Sequence, residues 1–394
     1  MRVEPWRFAA ACAVRLAIAV TFARKVSSYG PEIPAAFGCQ RLPTPPKYTI
    51  NDSALFNPAA AWIAQAGWMA IARHDRCRYN IGNCDKNLLG EVEPVMMFLG
   101  NGSVPNPQLA DNVQPWGFEW ESFKVPLRTL NLLDSTPRFG ADDYRPFAYQ
   151  GQILVAHSLY WQGIDNVDEM SKTHMALSVL DWKNKVLVFH SMFPTATAEK
   201  NWGFIELGSD LLIIYKVLPR VVILQYSPAS QPFKTLVKRS YLLSSQVLDN
   251  IAAKTGFVGR SHNSGHPVLY MHSDGLQYLL VLVHARREHR YWFHWAVLID
   301  IHTFGITHMS LGPVLRWHDC RMQGFLPEAL VVSSYHLYDS AYGSVLRTFF
   351  GEGDKYCCST DIPIYNVNWL QINSTDSDEK KEKPTLSTII ASER

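Results

Sequence analysis

From about residue 55 to residue 365 the chain alternates short apolar runs with polar turns, and no long helical period interrupts them. Gly151-Gln-Ile-Leu-Val-Ala-His157, Lys185-Val-Leu-Val-Phe-His190, Leu211-Leu-Ile-Ile-Tyr215 and Val221-Val-Ile-Leu-Gln-Tyr226 are of strand length. So are Tyr278-Leu-Leu-Val-Leu-Val-His284 and Trp292-Phe-His-Trp-Ala-Val-Leu-Ile299. Each is rich in β-branched or aromatic residues and bounded by turn formers, so the pattern predicts an all-β fold. Gln246–Lys254 is one of the few stretches that predicts helical turns.

A turn followed by an apolar strand ending in a polar residue recurs roughly every 60 to 70 residues, a period of the kind that marks repeat architectures. Its members are Gly67–Arg73, Gly151–His157, Ser209–Tyr215, Gly275–His284 and Glu328–Tyr335. Five such units predict a five-bladed β-propeller with four-stranded blades over residues 50–365, because radial repetition protects sheet edges. A pair of β-sandwiches is the alternative. Residues 86–135, with many Pro, Asn and Trp, are expected to be a long insertion between the first and second blades. Flexible termini are expected, with residues 370–394 a low-complexity, disordered tail.

Near the N-terminus, Phe8–Ala23 is apolar but interrupted by Arg15, too short for a confident membrane span. Arg2 and Arg7 precede it, which fits a signal peptide or short signal anchor over residues 1–27; a transit segment is the alternative. Sequons at Asn51, Asn101 and Asn373 favour the secretory pathway, as secreted protein or in the Golgi or ER lumen, over another organelle or the cytosol. Seven cysteines in 394 residues do not make a disulfide scaffold. Cys77 and Cys84 bracket a polar loop that a disulfide would close, and Cys357-Cys358 lacks a second pair at zinc spacing.

Composition narrows the function classes. The 37 basic and 35 acidic residues nearly cancel, which gives no footprint for nucleic acid. The 12 Trp and 17 Tyr suit stacking on sugars as well as packing in sheets. No phosphate loop or nucleophile elbow is present, and the 14 histidines do not fall into metal-binding spacing, so no metal and no cofactor is expected.

Polar residues at equivalent strand ends of a propeller meet around its axis. Arg73, Arg145, Lys200, Tyr215, His284 and Asp354 are the candidates. Two clusters stand out among them. In Gly140-Ala-Asp-Asp-Tyr-Arg-Pro-Phe147, adjacent Asp142 and Asp143 are unusual at a strand start, and Arg145 falls on the Asp143 face of a regular strand, placed to pair with it. An acid beside a cation is the raw material of general acid catalysis. In Glu199-Lys-Asn-Trp-Gly-Phe204, Lys200, Asn201 and Trp202 suit a hydroxylated ligand.

In their order along the chain these segments resemble glycoside hydrolase family 130, the β-mannoside phosphorylases and their mannosyltransferase relatives. The resemblance runs through Phe56-Asn-Pro58 and Met69–Arg73, Asp142-Asp-Tyr-Arg145, Lys200-Asn201, Gly265-His-Pro267, His284, Ile299-Asp300 and Gly351-Glu-Gly-Asp354. Asp142 stands for the family's Glu and Tyr144 for its Pro. The resemblance implies Asp143 as general acid, with Asn57, Arg73, Asp142, Arg145, Lys200, Asn201, His284, Asp300 and Asp354 around the sugar and a phosphate; Tyr215 joins them as a candidate from the repeating strand ends. It implies no metal, and inorganic phosphate, a sugar phosphate or a nucleotide sugar as co-substrate. Phosphate replaces the second carboxylate of an inverting glycosidase in such a mechanism. The expected function is glycosyl transfer or phosphorolysis of β-mannoside-like glycans, with an oligosaccharide as partner. The alternative is a non-catalytic propeller that binds glycans or proteins. Sugar identity, linkage, donor and oligomeric state are not written in the sequence.

Overall fold

The computed structural model describes residues 37–42, 54–63, 67–75, 92–98, 122–124, 127–128, 138–162, 173–181, 184, 186–193, 201–227, 234–257, 259, 261–287, 290–316, 330–352 and 356–372. The expected signal segment, the Cys77–Cys84 loop, the three sequons, Lys200 and Asp354 lie outside them.

The fold is all-β, as the sequence pattern predicts, and among the described residues the strands form five sheets. β1 (Phe37–Arg41) comes first in the chain. Sheet 1 runs in chain order through β2 (Ala54–Ile63), β3 (Gly67–Asp75), β4 (Val92–Phe98) and β5 (Ser122–Lys124). Sheet 2 joins β7 (Arg138–Tyr149), β8 (Gln152–Gln162), β9 (Thr173–Asp181) and β10 (Val186–Phe193), and β6 (Leu127–Arg128) adds in parallel to β10. Sheet 3 is β11 (Gly203–Leu207), β12 (Asp210–Lys216), β13 (Arg220–Ser227) and β14 (Lys234–Leu242).

Helix α1 (Ser245–Thr255) follows, where helical turns were expected. The Ser244 side chain accepts from the Val247 N–H at its start, and Gly256, at φ 70°, ends it in the left-handed conformation that favours glycine. Sheet 4 contains β15 (Ser261–Asn263), β16 (Val268–Met271), β17 (Gln277–Arg287), β18 (Arg290–Asp300), β19 (Ile306–Ser310) and β20 (Leu315–Arg316). Sheet 5 is β21 (Leu330–Ser340), β22 (Gly343–Glu352) and β23 (Tyr356–Pro363), with β1 as its outer strand; β24 (Trp369–Gln371) returns to sheet 4.

Apolar runs rather than strict alternation mark the second strands because both faces of each sheet are buried. On β12, Leu212 and Ile214 enter the core between sheets 3 and 4, while Leu211, Ile213 and Tyr215 enter the core between sheets 2 and 3. β17 divides likewise: Leu279, Val281 and Val283 face sheet 3, and Tyr278, Leu280 and Leu282 face sheet 5. Sheets 1 and 2 share a core of Met69, Ile71, Val155 and Leu187. Where it packs on sheet 5, β2 presents the small, buried Ala59, Ala60 and Ala61. β2 packs on β7, β7 on β11, β12 on β15, β16 and β18 on β21, and β21 on β2.

Three boundaries differ from expectation. β4 and β5 fall within the 86–135 stretch expected as an insertion and complete sheet 1, while β6 joins sheet 2. Pro94 and three methionines or phenylalanines in Val92–Phe98 hid that strand from a β-branched pattern. The fold also passes residues 50 and 365 at its two ends, through β1 and β24; Leu370 and Ile372 are buried although the tail was expected from residue 370.

Candidate active site

The first strands of sheets 1, 2 and 5 each carry a bulge. On β2, Asn57 and Pro58 stand between the pairs Phe56–Arg73 and Ala59–Ile71, opposite Ala72 alone. On β7, Asp143 and Tyr144 stand between Asp142–Ser158 and Arg145–Ala156, opposite His157 alone. On β21, Ser333 is the extra residue between Val332–Phe350 and Ser334–Phe349. A bulge re-aims side chains and interrupts the ladder, and these three strands pack on one another.

As first strands they present backbone groups that no ladder satisfies, and buried side chains from other sheets take them. The Ala60 N–H donates to Ser334 Oγ at 2.8 Å, and His336 Nε2–H donates to the Ala60 carbonyl at 2.6 Å. His266 Nδ1 accepts from the Phe204 N–H at 3.0 Å, which leaves Nε2–H to donate to the Arg145 carbonyl at 3.0 Å. His266 therefore joins sheets 2 and 3 in a single tautomer, and its proton is fixed by its partners. Burial lowers its pKa to about 3, and that of His336 to about 4, so both are neutral at pH 7.

The two sequence clusters meet here. Arg145, buried, donates from Nη2 to Asn201 Oδ1 at 2.6 Å. Asn201 has φ 69° and Asp143 φ 54°, two of the four non-glycine residues with positive φ among the described residues. Asn and Asp tolerate this left-handed region better than other side chains, and such outliers concentrate at functional sites. Asp143 is half-buried, next to Tyr144, which lies against the His157 ring at 5.6 Å.

The bulge corrects one expectation. Asp143 and Arg145 would share a face in a regular strand, but the extra residue breaks the alternation, and Tyr144, Arg145 and Pro146 are all buried. Arg73 is half-buried on β3, opposite the edge of the β2 bulge that carries Asn57. Asp142 closes the β7 bulge on its other side, paired with Ser158.

Other predicted residues stand apart. Tyr215 is core, packed edge-on against Trp202 at 5.1 Å; Trp202, fully buried, also meets Phe193 at 5.3 Å and offers no stacking face. His284 is buried with Ser264 Oγ 2.6 Å from its Nδ1, between the His262 and His294 rings. Asp300 caps a turn, its Oδ1 accepting from the backbone of His302 and Thr303 and from the Thr303 hydroxyl. Burial pushes the Asp300 carboxyl up, but those bonds more than offset it and its pKa falls. Asp300 pairs with Tyr278, six residues along β17 from His284, about 20 Å at strand rise.

Sequence reasoning missed His336 and Ser334 and gave His266 no role. Gly265-His266-Pro267 was visible as a motif. For His336, at an unremarkable position inside a strand, no signal was.

No family model and no curated protein matches the chain in sequence. Solved structures do resemble it in fold. One comes from work on the GH130 family of mannoside phosphorylases, which contains glycoside hydrolases that target β-1,2-mannosidic linkages in Candida mannan; it is 11% identical, with a TM-score of 0.50 over 88% of this chain and 98% of that one. A glycosyl hydrolase from Bacteroides ovatus is 10% identical, with a TM-score of 0.48 over 82% and 87% of the two chains. A GDP-Man-dependent mannosyltransferase from Leishmania mexicana is 8% identical, with a TM-score of 0.47 over 82% and 89%. At these identities the likeness is one of fold: an all-β architecture of the kind that propeller glycosidases have.

Proposed function

We propose that the five sheets are the blades of a five-bladed propeller and that the protein is a carbohydrate-active enzyme, transferring or phosphorolysing β-mannoside-like glycans. The Arg145–Asn201 hydrogen bond carries the reading, because it fastens the Asp-Asp-Tyr-Arg and Lys-Asn clusters to each other. The fold likeness to the GH130 structure supports it. Asp143 is the general acid, set at a bulge two residues before Arg145, whose guanidinium Asn201 orients. Arg145, with Arg73 and Lys200, meets the sugar hydroxyls and an anionic co-substrate, inorganic phosphate, a sugar phosphate or a nucleotide sugar; fixed cations of this kind stabilise charge as it develops. Asn57, Asp142 and Asp354 keep the roles around the sugar that the family resemblance implies. Tyr215, His284 and Asp300, predicted as ligands of the same sugar, serve packing and turn formation instead. The secretory reading of the N-terminal segment accords with Cys39, on β1, being disulfide-bonded.

The test incubates the full chain with mannose 1-phosphate and mannose or short mannosides and measures released phosphate. Acceptor-dependent release that falls at least about 100-fold in Asp143→Asn, with sugar binding retained, is the expected result. Turnover with a nucleotide sugar alone makes the protein a transferase. Full activity in Asp143→Asn refutes the acid assignment. Binding without any product supports a non-catalytic glycan-binding propeller, a reading weakened by the burial of Trp202 and Tyr215.

A further inference from the structure

At one end of sheet 4, well away from Arg145, two histidines and a carboxylate converge. His272 and Asp274 belong to the turn from β16 to β17, and His308 is on β19. One ligand atom of each lies within 4.8 Å of the others. His266 and His272 are separated by six residues of largely extended chain, about 20 Å.

The three side chains are held by their neighbours. The turn closes through His272 N–H to the Leu276 carbonyl at 3.0 Å. Asp274 uses Oδ1 to accept from the Leu276 N–H at 2.8 Å. That leaves Oδ2 to face the cluster, 3.2 Å from His272 Nδ1 and accepting from the Tyr278 hydroxyl at 2.8 Å. On the facing strand, the Thr307 hydroxyl donates to the Leu298 carbonyl at 3.3 Å, so its oxygen accepts from His308 Nδ1–H at 3.0 Å. That tautomer presents the lone pair of His308 Nε2. The His272 ring is walled by Tyr278 and Trp369, each edge-on at 5.9 Å, and lies 4.8 Å from the His308 ring.

We propose that His272, Asp274 and His308 form a binding site for a divalent cation of borderline softness, Zn2+ being the probe of choice. Two imidazoles and one carboxylate are a donor set that such ions take, with a fourth position left for water or an external ligand. In tetrahedral zinc coordination the ligand atoms stand about 3.3 Å apart, so the cluster needs to contract by at most about 1.5 Å. Tyr278 and Thr307 act behind the ligands, orienting the carboxylate and fixing the histidine tautomer. The bound ion would tie the β16–β17 turn to β19, the strand on which β24 closes sheet 4. Sequence spacing gave no sign of it, because His308 is 34 residues beyond Asp274 and reaches it only through the sheet.

Isothermal titration of ZnCl2 into the full chain, stripped with chelator and carrying no histidine tag, tests the site. One equivalent binds, and the melting temperature rises by about 3 °C at free Zn2+ of a hundred times Kd. His272→Ala and His308→Ala each weaken binding at least about tenfold, while His302→Ala, on a neighbouring turn, leaves it unchanged. Asp274→Asn, at an exposed position, repeats the loss without risk to folding. Paramagnetic resonance with Cu2+ shows two imidazole nitrogens in the full chain and one in His308→Ala. Absence of one-equivalent binding, or an affinity indifferent to His272→Ala, His308→Ala and Asp274→Asn alike, overturns the proposal.

Discussion

Lowering the pH should destabilise this protein before its carboxylates protonate. Burial lowers the pKa values of His157, His266, His294 and His336 to about 4, about 3, about 3 and about 4. In the unfolded chain each returns to about 6.5. The unfolded state thus binds protons that the folded state refuses, so the stability these groups permit is complete above pH 6.5 and declines as pH falls towards 3 to 4. At pH 5.5 each histidine costs about 1.4 kcal/mol relative to pH 7.5, about 5.5 kcal/mol for the four. A domain commonly has only about 5–15 kcal/mol in all. Urea unfolding followed by tryptophan fluorescence from pH 7.5 to 5.0 should show the midpoint falling steeply at constant m-value. The slope should approach that of four protons below pH 6. His266→Gln should remove about a quarter of that slope. A midpoint that moves by less than one proton's worth across this range would falsify the buried, neutral state of these rings.

Other substitutions test single contacts. Gly265 has φ 144°, and an added Cβ would stand 3.0 Å from Tyr335 Cε1 and 3.1 Å from Ser334 Cα. Gly265→Ala should therefore cost about 2–4 kcal/mol in chemical denaturation, from strain and overpacking together. Asn201→Gly keeps the left-handed backbone and removes only the amide, so turnover should fall about tenfold or more while the unfolding midpoint moves little. Arg347 makes a two-pronged bond to Asp361 at 2.7 and 2.6 Å, and Tyr338 donates to the same carboxylate. Arg347→Met strands that carboxylate and should cost about 2–4 kcal/mol, whereas the double variant with Asp361→Leu should lose less than the sum.

The sheets were legible because both faces of their second strands are apolar. Four of the five repeats recognised in sequence are second strands, β3, β8, β12 and β17, at equivalent places in sheets 1 to 4. The fifth, Glu328–Tyr335, falls instead on the first strand of its sheet, because β22 carries Arg347 and Thr348 where the others are apolar. The candidate site was half legible. Asp143, Arg145 and Asn201 stood out as unusual residue types at strand starts, but their arrangement depends on a two-for-one bulge that leaves no compositional trace. Trp202 and Asp300 were misjudged for a related reason. A buried indole and a surface one look alike in sequence, and an Asp three residues before a turn threonine satisfies the backbone as readily as a sugar. His266 and His336 serve backbone edges, a need that exists only once the sheets have met.

The pairing of β1 with β23 sets a timetable. Phe37 meets Asp361, 324 residues later in the chain. At a ribosomal rate of about 5–20 residues per second, roughly 15 to 60 s separate the synthesis of the two strands. For nearly all of that interval sheet 5 does not exist, and β2 has neither Ser334 nor His336 to occupy the Ala60 backbone. The nascent chain therefore carries an adhesive strand edge for most of its synthesis. Its yield in a cell should depend on whatever shields that edge until the last sheet arrives.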